Sequence, residues 1–168
     1  DVLGNYGRIF SEYPFLKNFR NDKLSKFIEL DGKNHLENIR KEKKRVVFVS
    51  GHFNNFELMA MQIEKVGIKL STIYRPLNNI FLNKIMEQIR INHICKNQIK
   101  KGRMGTREII KSLNNGFSIA LMIDQRVREG SKVKFFGNLA TTTTIPAQLI
   151  KKYKCELVPI YIERKDKY

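Results

Sequence analysis

Apolar positions along the chain follow two periods that take turns. Val46-Val47-Phe48-Val49 is an unbroken run of β-branched and aromatic residues, the pattern of a strand buried on both faces. Phe56, Met59, Ala60 and Ile63 then recur at i, i+3, i+4 and i+7, one apolar face of a helix that ends at Gly67. Lys69 to Tyr74 reads as a second strand, closed by Arg75-Pro76. Asn78-Asn79 opens a helix whose Phe81, Leu82, Ile85, Met86 and Ile89 form a face expected to pack into the core, with Arg90 at its end. Ile91 to Cys95 reads as a short strand carrying a structural His93. A helix marked by Ile109, Ile110 and Leu113 stops at Asn115-Gly116, and Phe117 to Ile123 is a further buried strand. Val133 to Phe136 forms another strand, Pro146 sits in the first turn of a helix running to Tyr153, and Leu157 to Ile162 is the last strand. Upstream, residues 1–30 read as short helices broken at Tyr13-Pro14, Asp31-Gly32 as a turn, and Asn34 to Lys44 as a charged surface helix with a solvated His35. Strands alternating with helices predict an α/β fold, a mostly parallel sheet flanked by helices in a single domain.

The chemistry concentrates where the first strand turns into its helix, at Ser50-Gly51-His52-Phe53-Asn54-Asn55-Phe56-Glu57. In open α/β sheets this is the edge that carries function. Five residues of ideal helix turn through about 500°, so His52 and Glu57 share no face if both are helical. They can meet if His52 lies in the turn, Asn54 or Asn55 caps the helix, and Glu57 reaches back from its first turn, where the dipole favours a carboxylate. A carboxylate on one ring nitrogen fixes the tautomer and leaves the other nitrogen to take a proton. The pair then acts as a general base for a hydroxyl brought by a substrate. A turn histidine beside a solvated capping glutamate is the plainer reading of the same residues.

Two further places invite chemistry. Lys100-Lys101-Gly102-Arg103 puts a glycine and cations at a helix start, an arrangement suited to holding phosphate. Asp124-Gln125 closes a buried strand and so lies at the functional edge of the sheet. Phe135-Phe136 reads equally as core or as the lining of an apolar groove.

Charge adds a constraint on partners. Lys and Arg number 32 against 16 Asp and Glu, a formal net charge of +16, which calls for anionic partners: nucleic acid, anionic lipid headgroups or an acidic protein. With 42% hydrophobic residues the chain can bury a core, and it has no run of about 18 apolar residues to span a bilayer. Its two cysteines, Cys95 and Cys155, have neither metal-site nor CxxC spacing and suit a reducing compartment.

Gly51-His52-Phe53-Asn54-Asn55-Phe56-Glu57 resembles the GHxGNWE-type block of the lipid A late acyltransferases, the lauroyl/myristoyl branch of the lysophospholipid acyltransferase superfamily. Tyr74-Arg75-Pro76-Leu77-Asn78-Asn79 is similar to that family's YRPxxN segment. Gly102 to Arg107 leading to Leu113-Asn114-Asn115-Gly116, then Asp124-Gln125, Val133 to Gly137, Ala140 to Thr143, and Leu157-Val158-Pro159 follow in family order. The chain departs at Asn54, usually Gly, and at Phe56, usually Trp.

The resemblance implies an acyltransferase in which His52, oriented by Glu57, deprotonates a hydroxyl of a lipid A precursor that attacks an acyl carrier protein thioester. Arg75, Arg90 and Arg103, with Asp124 and Gln125, are the implied substrate-binding residues. Arg90 serves equally well as a cation on its helix dipole, and Asp124 either holds Arg75 or Arg103 or binds the sugar. No cofactor is expected beyond the acyl carrier protein co-substrate, and no metal. The partners implied are the carrier protein, the precursor glycolipid and an anionic membrane surface, at the cytoplasmic face of the bacterial inner membrane. The resemblance also implies a membrane anchor before Asp1 and more chain after Tyr168, residues 1–168 being one acyltransferase domain of a longer protein.

A lysophospholipid or glycerol-phosphate acceptor keeps the same chemistry but fits the YRPxxN and Ala-Thr-Thr-Thr segments less well. A nucleic-acid-binding module would explain the charge, yet no helix-turn-helix, zinc-finger or RNP pattern is present. An inactive scaffold with the same fold is the third possibility.

Overall fold

The computed structural model describes residues 2–128 and 130–165, with the side chains of Val2 and Arg103 outside the described set. Five parallel strands form the central sheet in the order β3-β2-β4-β1-β7: β1 (Val46–Ser50), β2 (Leu70–Tyr74), β3 (Asn97–Lys100), β4 (Ser118–Met122) and β7 (Glu156–Pro159). β1 is buried at all of its positions. Because side chains alternate across a strand, its residues divide between two cores. Val46 and Phe48 join one with Ile9, Leu16, Met61 and Met86, while Val47 and Val49 join the other with Ile109, Leu113, Ile119 and Leu149.

The first face carries α1 (Val2–Glu12), α2 (Leu16–Arg20), α3 (Lys33–Lys41), α4 (Glu57–Lys65) and α5 (Ile80–His93); the second carries α6 (Arg103–Asn114) and α7 (Ile145–Tyr153). The α/β architecture expected from the alternating periods is therefore present, and the N-terminal segment packs as helices beside the sheet. No helix among the described residues is long and apolar enough to cross a membrane.

Several local expectations give way to tertiary structure. Helix α5 continues through Ile91 to His93, so the short strand expected at 91–95 does not form. Only Met86 of its apolar face is buried; Phe81, Leu82 and Ile85 are 76%, 47% and 58% exposed. A face with the right period is available to a core but not obliged to meet one. The last strand stops at Pro159. Asn79 does cap α5 as its spacing suggests, its side-chain oxygen accepting from the backbone N–H groups of Phe81 and Leu82.

The strand expected at 133–136 is β5 (Ser131–Phe135), but it pairs antiparallel with β6 (Asn138–Thr142) in a hairpin separate from the main sheet. Phe135 and Phe136 are neither core nor groove, at 64% and 90% exposed. The two-residue turn has φ 48° at Phe136 and 81° at Gly137, the left-handed pair of a type I′ hairpin. Glycine accepts that conformation freely, whereas a phenylalanine there costs roughly 1–3 kcal/mol. At the other end of the hairpin a Cβ on Gly130 would stand 2.2 Å from the Thr142 carbonyl oxygen, so the two strands close only around a glycine.

Leu16, wholly buried in the first core, measures how far the N-terminal helices belong to the domain. Leu16→Ala is expected to lower the unfolding free energy in urea by about 2–5 kcal/mol. A loss well under 1 kcal/mol would show that this segment is an appendage.

Candidate active site

Strands β1 and β4 pair in parallel, Val47 opposite Ile119 through Ser50 opposite Met122, and the Ile123 N–H donates to the Ser50 carbonyl at 2.9 Å. Two residues further along the same register, His52 faces Asp124. The ring Nδ1 lies 2.8 Å from Asp124 Oδ1, and the His52 backbone N–H donates to Oδ2, also at 2.8 Å. With Nδ1 bonded to a carboxylate, the proton belongs on Nδ1 and the Nε2 lone pair is the free base. Gln125 approaches that nitrogen only weakly, its Nε2 at 3.5 Å, and an incoming hydroxyl can displace so long a contact. Phe56 meets the imidazole edge-on at 4.9 Å between ring centres, holding its tilt.

Burial alone would raise the Asp124 pKa, but the hydrogen bonds and charge of His52 outweigh it and hold the carboxyl below its ordinary value. Asp124 therefore stays ionised through the whole neutral range. Its contribution to stability is present above the ordinary aspartate value of about 3.9 and is lost as pH falls through the lower folded value.

The backbone between His52 and the helix is shaped to permit this contact. A Cβ on Gly51 would come 2.9 Å from the Phe53 ring and 3.0 Å from Asp124 Oδ2, so any side chain there would crowd the carboxylate. Asn54 adopts φ 39°, a left-handed conformation in which asparagine is one of the few tolerable substitutes for glycine. Its side chain donates to the Ile162 carbonyl, a bond glycine would lack. Neither Asn54 nor Asn55 caps α4: the capping position is Phe56, without a side-chain cap.

Glu57 does not orient His52. It opens α4 as expected, but its Oε1 accepts from Tyr13 Oη at 2.5 Å and from Arg90 Nε and Nη2 at 2.8 and 2.6 Å. The Glu57 and Arg90 side chains are only 8% and 16% exposed. Burial opposes the Arg90 charge, but the Glu57 carboxylate more than offsets this and raises its pKa. Burial, then the neighbouring carboxylate, pushes the Tyr13 phenol well up, keeping it a donor. Arg90 is thus committed to Glu57, and it also lies in the last turn of α5, where a cation suits the helix dipole.

Beside this cluster, Asn55 Nδ2 donates to Glu12 Oε2 at 2.5 Å, and Arg164 donates to the other oxygen of Glu12. The consecutive residues Glu12 and Tyr13 therefore fasten both Asn55 and Glu57, clamping the turn that carries His52. Nothing in the sequence marks Glu12 or Tyr13 for this task, because the contacts span more than 40 positions.

Among the remaining candidates, Arg75 is exposed just beyond β2, at the same edge of the sheet, and makes no hydrogen bond or ion pair with the described residues. The Arg103 side chain lies outside the described residues. Lys100, expected in the basic loop, is instead the last residue of β3 and pairs with Glu87. Burial pushes the Cys95 thiol up to about 11 and raises Cys155 as well, so neither is an activated nucleophile.

The two carboxylates separate in a stability measurement. Glu57→Gln strands a buried guanidinium and is expected to lower unfolding free energy by about 3–5 kcal/mol. Asp124→Asn, at a side chain 37% exposed, is expected to change it by less than about 1 kcal/mol. Equal losses in urea titrations would erase the distinction between a structural and a site carboxylate.

The ordered blocks that first suggested a family have an independent counterpart. A family model for bacterial lipid A biosynthesis acyltransferases matches residues 1–168, the entire chain. A search of curated proteins yields no match. The chain belongs to the bacterial lipid A biosynthesis acyltransferase family, and its activity is acyl transfer.

Proposed function

We propose that the protein transfers a fatty acyl chain from an acyl carrier protein thioester to a hydroxyl of a lipid A precursor, with His52 as general base. The observation that carries this reading is an imidazole fixed on one side by Asp124 and open on the other, at the carboxyl edge of a parallel sheet.

His52 Nε2 takes the proton of the acceptor hydroxyl as its oxygen attacks the thioester carbonyl. Asp124 stabilises the imidazolium that forms, the role Glu57 was expected to play. The tetrahedral intermediate collapses with cleavage of the C–S bond, and the proton held by His52 passes to the departing thiolate. Arg75 is the uncommitted cation best placed by topology to meet the oxyanion or a substrate phosphate, with Arg103 the second candidate. One such donor contributes about 3–4 kcal/mol of transition-state stabilisation. No serine or cysteine among the described residues bonds to His52, which favours direct transfer over an acyl-enzyme.

The charge of +16 supports two acidic partners, the carrier protein and the anionic leaflet on the cytoplasmic side of the inner membrane.

Transfer from a set of carrier-protein thioesters to a lipid A precursor tests the assignment. His52→Ala is expected to lose about 10² to 10⁴ of the rate, and Asp124→Ala to fall in the same range. If His52→Ala keeps the wild-type rate, the base lies elsewhere. If the wild-type protein transfers only to a lysophospholipid, the acceptor is wrong while the chemistry stands. The wild-type rate at subsaturating carrier protein should also fall as salt rises from low to physiological strength; a flat profile would remove electrostatic steering from the account.

A further inference from the structure

All five strands of the main sheet are parallel, so every segment that leaves one of them does so at the edge where His52 and Asp124 sit. Large exposed apolar side chains gather on those segments: Phe81 and Ile85 after β2, Met104 after β3, and Phe135, Phe136 and Leu139 after β4. The β5–β6 hairpin is the most pronounced. It belongs to no larger sheet, and an isolated two-stranded hairpin is marginal in water. Its tip carries two phenylalanines in edge-to-face contact at 4.6 Å, one of them in a turn position where a bulky residue is strained. Nothing in the fold of the hairpin calls for that residue, since Asn-Gly would make the same turn without strain. Lys132 and Lys134 follow along β5, and the exposed Arg126 and Arg128 precede it. An apolar tip above a cationic collar matches the depth profile of an anionic lipid surface, acyl chains below and phosphates above.

We propose that the β5–β6 hairpin is a membrane wedge: Phe135, Phe136 and Leu139 enter the boundary between headgroups and acyl chains of an anionic bilayer while Lys132, Lys134, Arg126 and Arg128 hold its phosphates. The wedge turns the catalytic edge toward the lipid phase. This rests on the reading of the site as one that takes a lipid acceptor, but vesicle binding is measurable without any turnover.

Co-sedimentation of the full chain with vesicles of equal parts phosphatidylcholine and phosphatidylglycerol, and with phosphatidylcholine alone, tests it. The expected result is preference for the anionic vesicles and, for Phe135→Ser/Phe136→Ser, partition weakened by about tenfold or more. Phe136→Asn is the sharper variant. It places Asn-Gly in the turn, so it is expected to raise Tm while weakening vesicle binding, a combination that a purely structural Phe136 cannot give. Phe27→Ser, an exposed phenylalanine of the N-terminal segment, serves as the control and should stay within about twofold. Transfer to a detergent-dispersed acceptor is expected to stay within about twofold for the hairpin variants. Unchanged vesicle partition in the hairpin variants overturns the proposal, as does unchanged partition accompanied by lost carrier-protein binding, which would make the tip a protein contact. His52→Ala separates the two readings: if it binds vesicles as wild type does, the wedge stands whatever becomes of the proposed chemistry.

Discussion

One pairing carries the site, the parallel register of β1 against β4. It brings together two residues 72 positions apart, each just past the end of its strand. A shift of a single residue would turn Asp124 to the other side of the sheet, because side chains alternate. The register is protected by its cost of failure: Val47, Val49, Ile119 and Leu121 pack together in one core, and a slip would carry them out of it. The His52–Asp124 geometry therefore rests on burial in the sheet and needs little energy of its own. That is consistent with a His–Asp contact that is partly exposed and contributes little to folding.

The two carboxylates near the strand-to-helix turn divide their tasks by environment. Glu57 is enclosed, bonded three times through one oxygen, and tied to a buried guanidinium. Desolvation makes such a pair a weak source of net stability but a costly one to break, so it fixes the start of α4 against α5 and the turn at Tyr13 that follows α1. Asp124 remains in reach of water, where a carboxylate can orient and charge-balance an imidazole that, in the proposed mechanism, gains and loses a proton. Exchanging these positions would place the histidine's partner in the buried cluster and leave Arg90 without a counter-charge.

How much of this the sequence carries depends on the range of the interaction. The strand at Val46, the cap at Asn79, the stop at Gly67 and the α/β class follow from local pattern, and the structure bears them out. The site was legible in part: His52 lies at the turn as expected, and Asp124 lies at the functional edge. Their contact was not legible, because strand order is not written in either strand. Proximity in sequence instead favoured Glu57, whose real partners, Tyr13 and Arg90, lie 44 and 33 positions away. The apolar face of α5 failed for a related reason. Periodicity says which residues share a face, and only the tertiary fold says what covers it.

Several departures from good folding chemistry share one edge of the sheet. Outward apolar residues on α5, Met104 at the start of α6, and a strained phenylalanine in the β5–β6 turn all lie on segments emerging from the carboxyl ends of the strands. Others lie elsewhere: Leu3, Phe10, Phe15 and Phe27 are exposed in the N-terminal segment, and Asp22, Lys43 and Lys154 also adopt positive φ. Consistency across levels is what makes a chain fold, and natural chains give it up mainly where function asks for it. A water-facing enzyme edge would gain stability from asparagine at 136 and from polar residues at 81 and 85. An edge that must receive an acyl chain at a lipid surface gains from keeping them apolar. On the proposed reading, the apolar residues at this edge and the chemistry of His52 and Asp124 answer one requirement, a substrate held at a membrane.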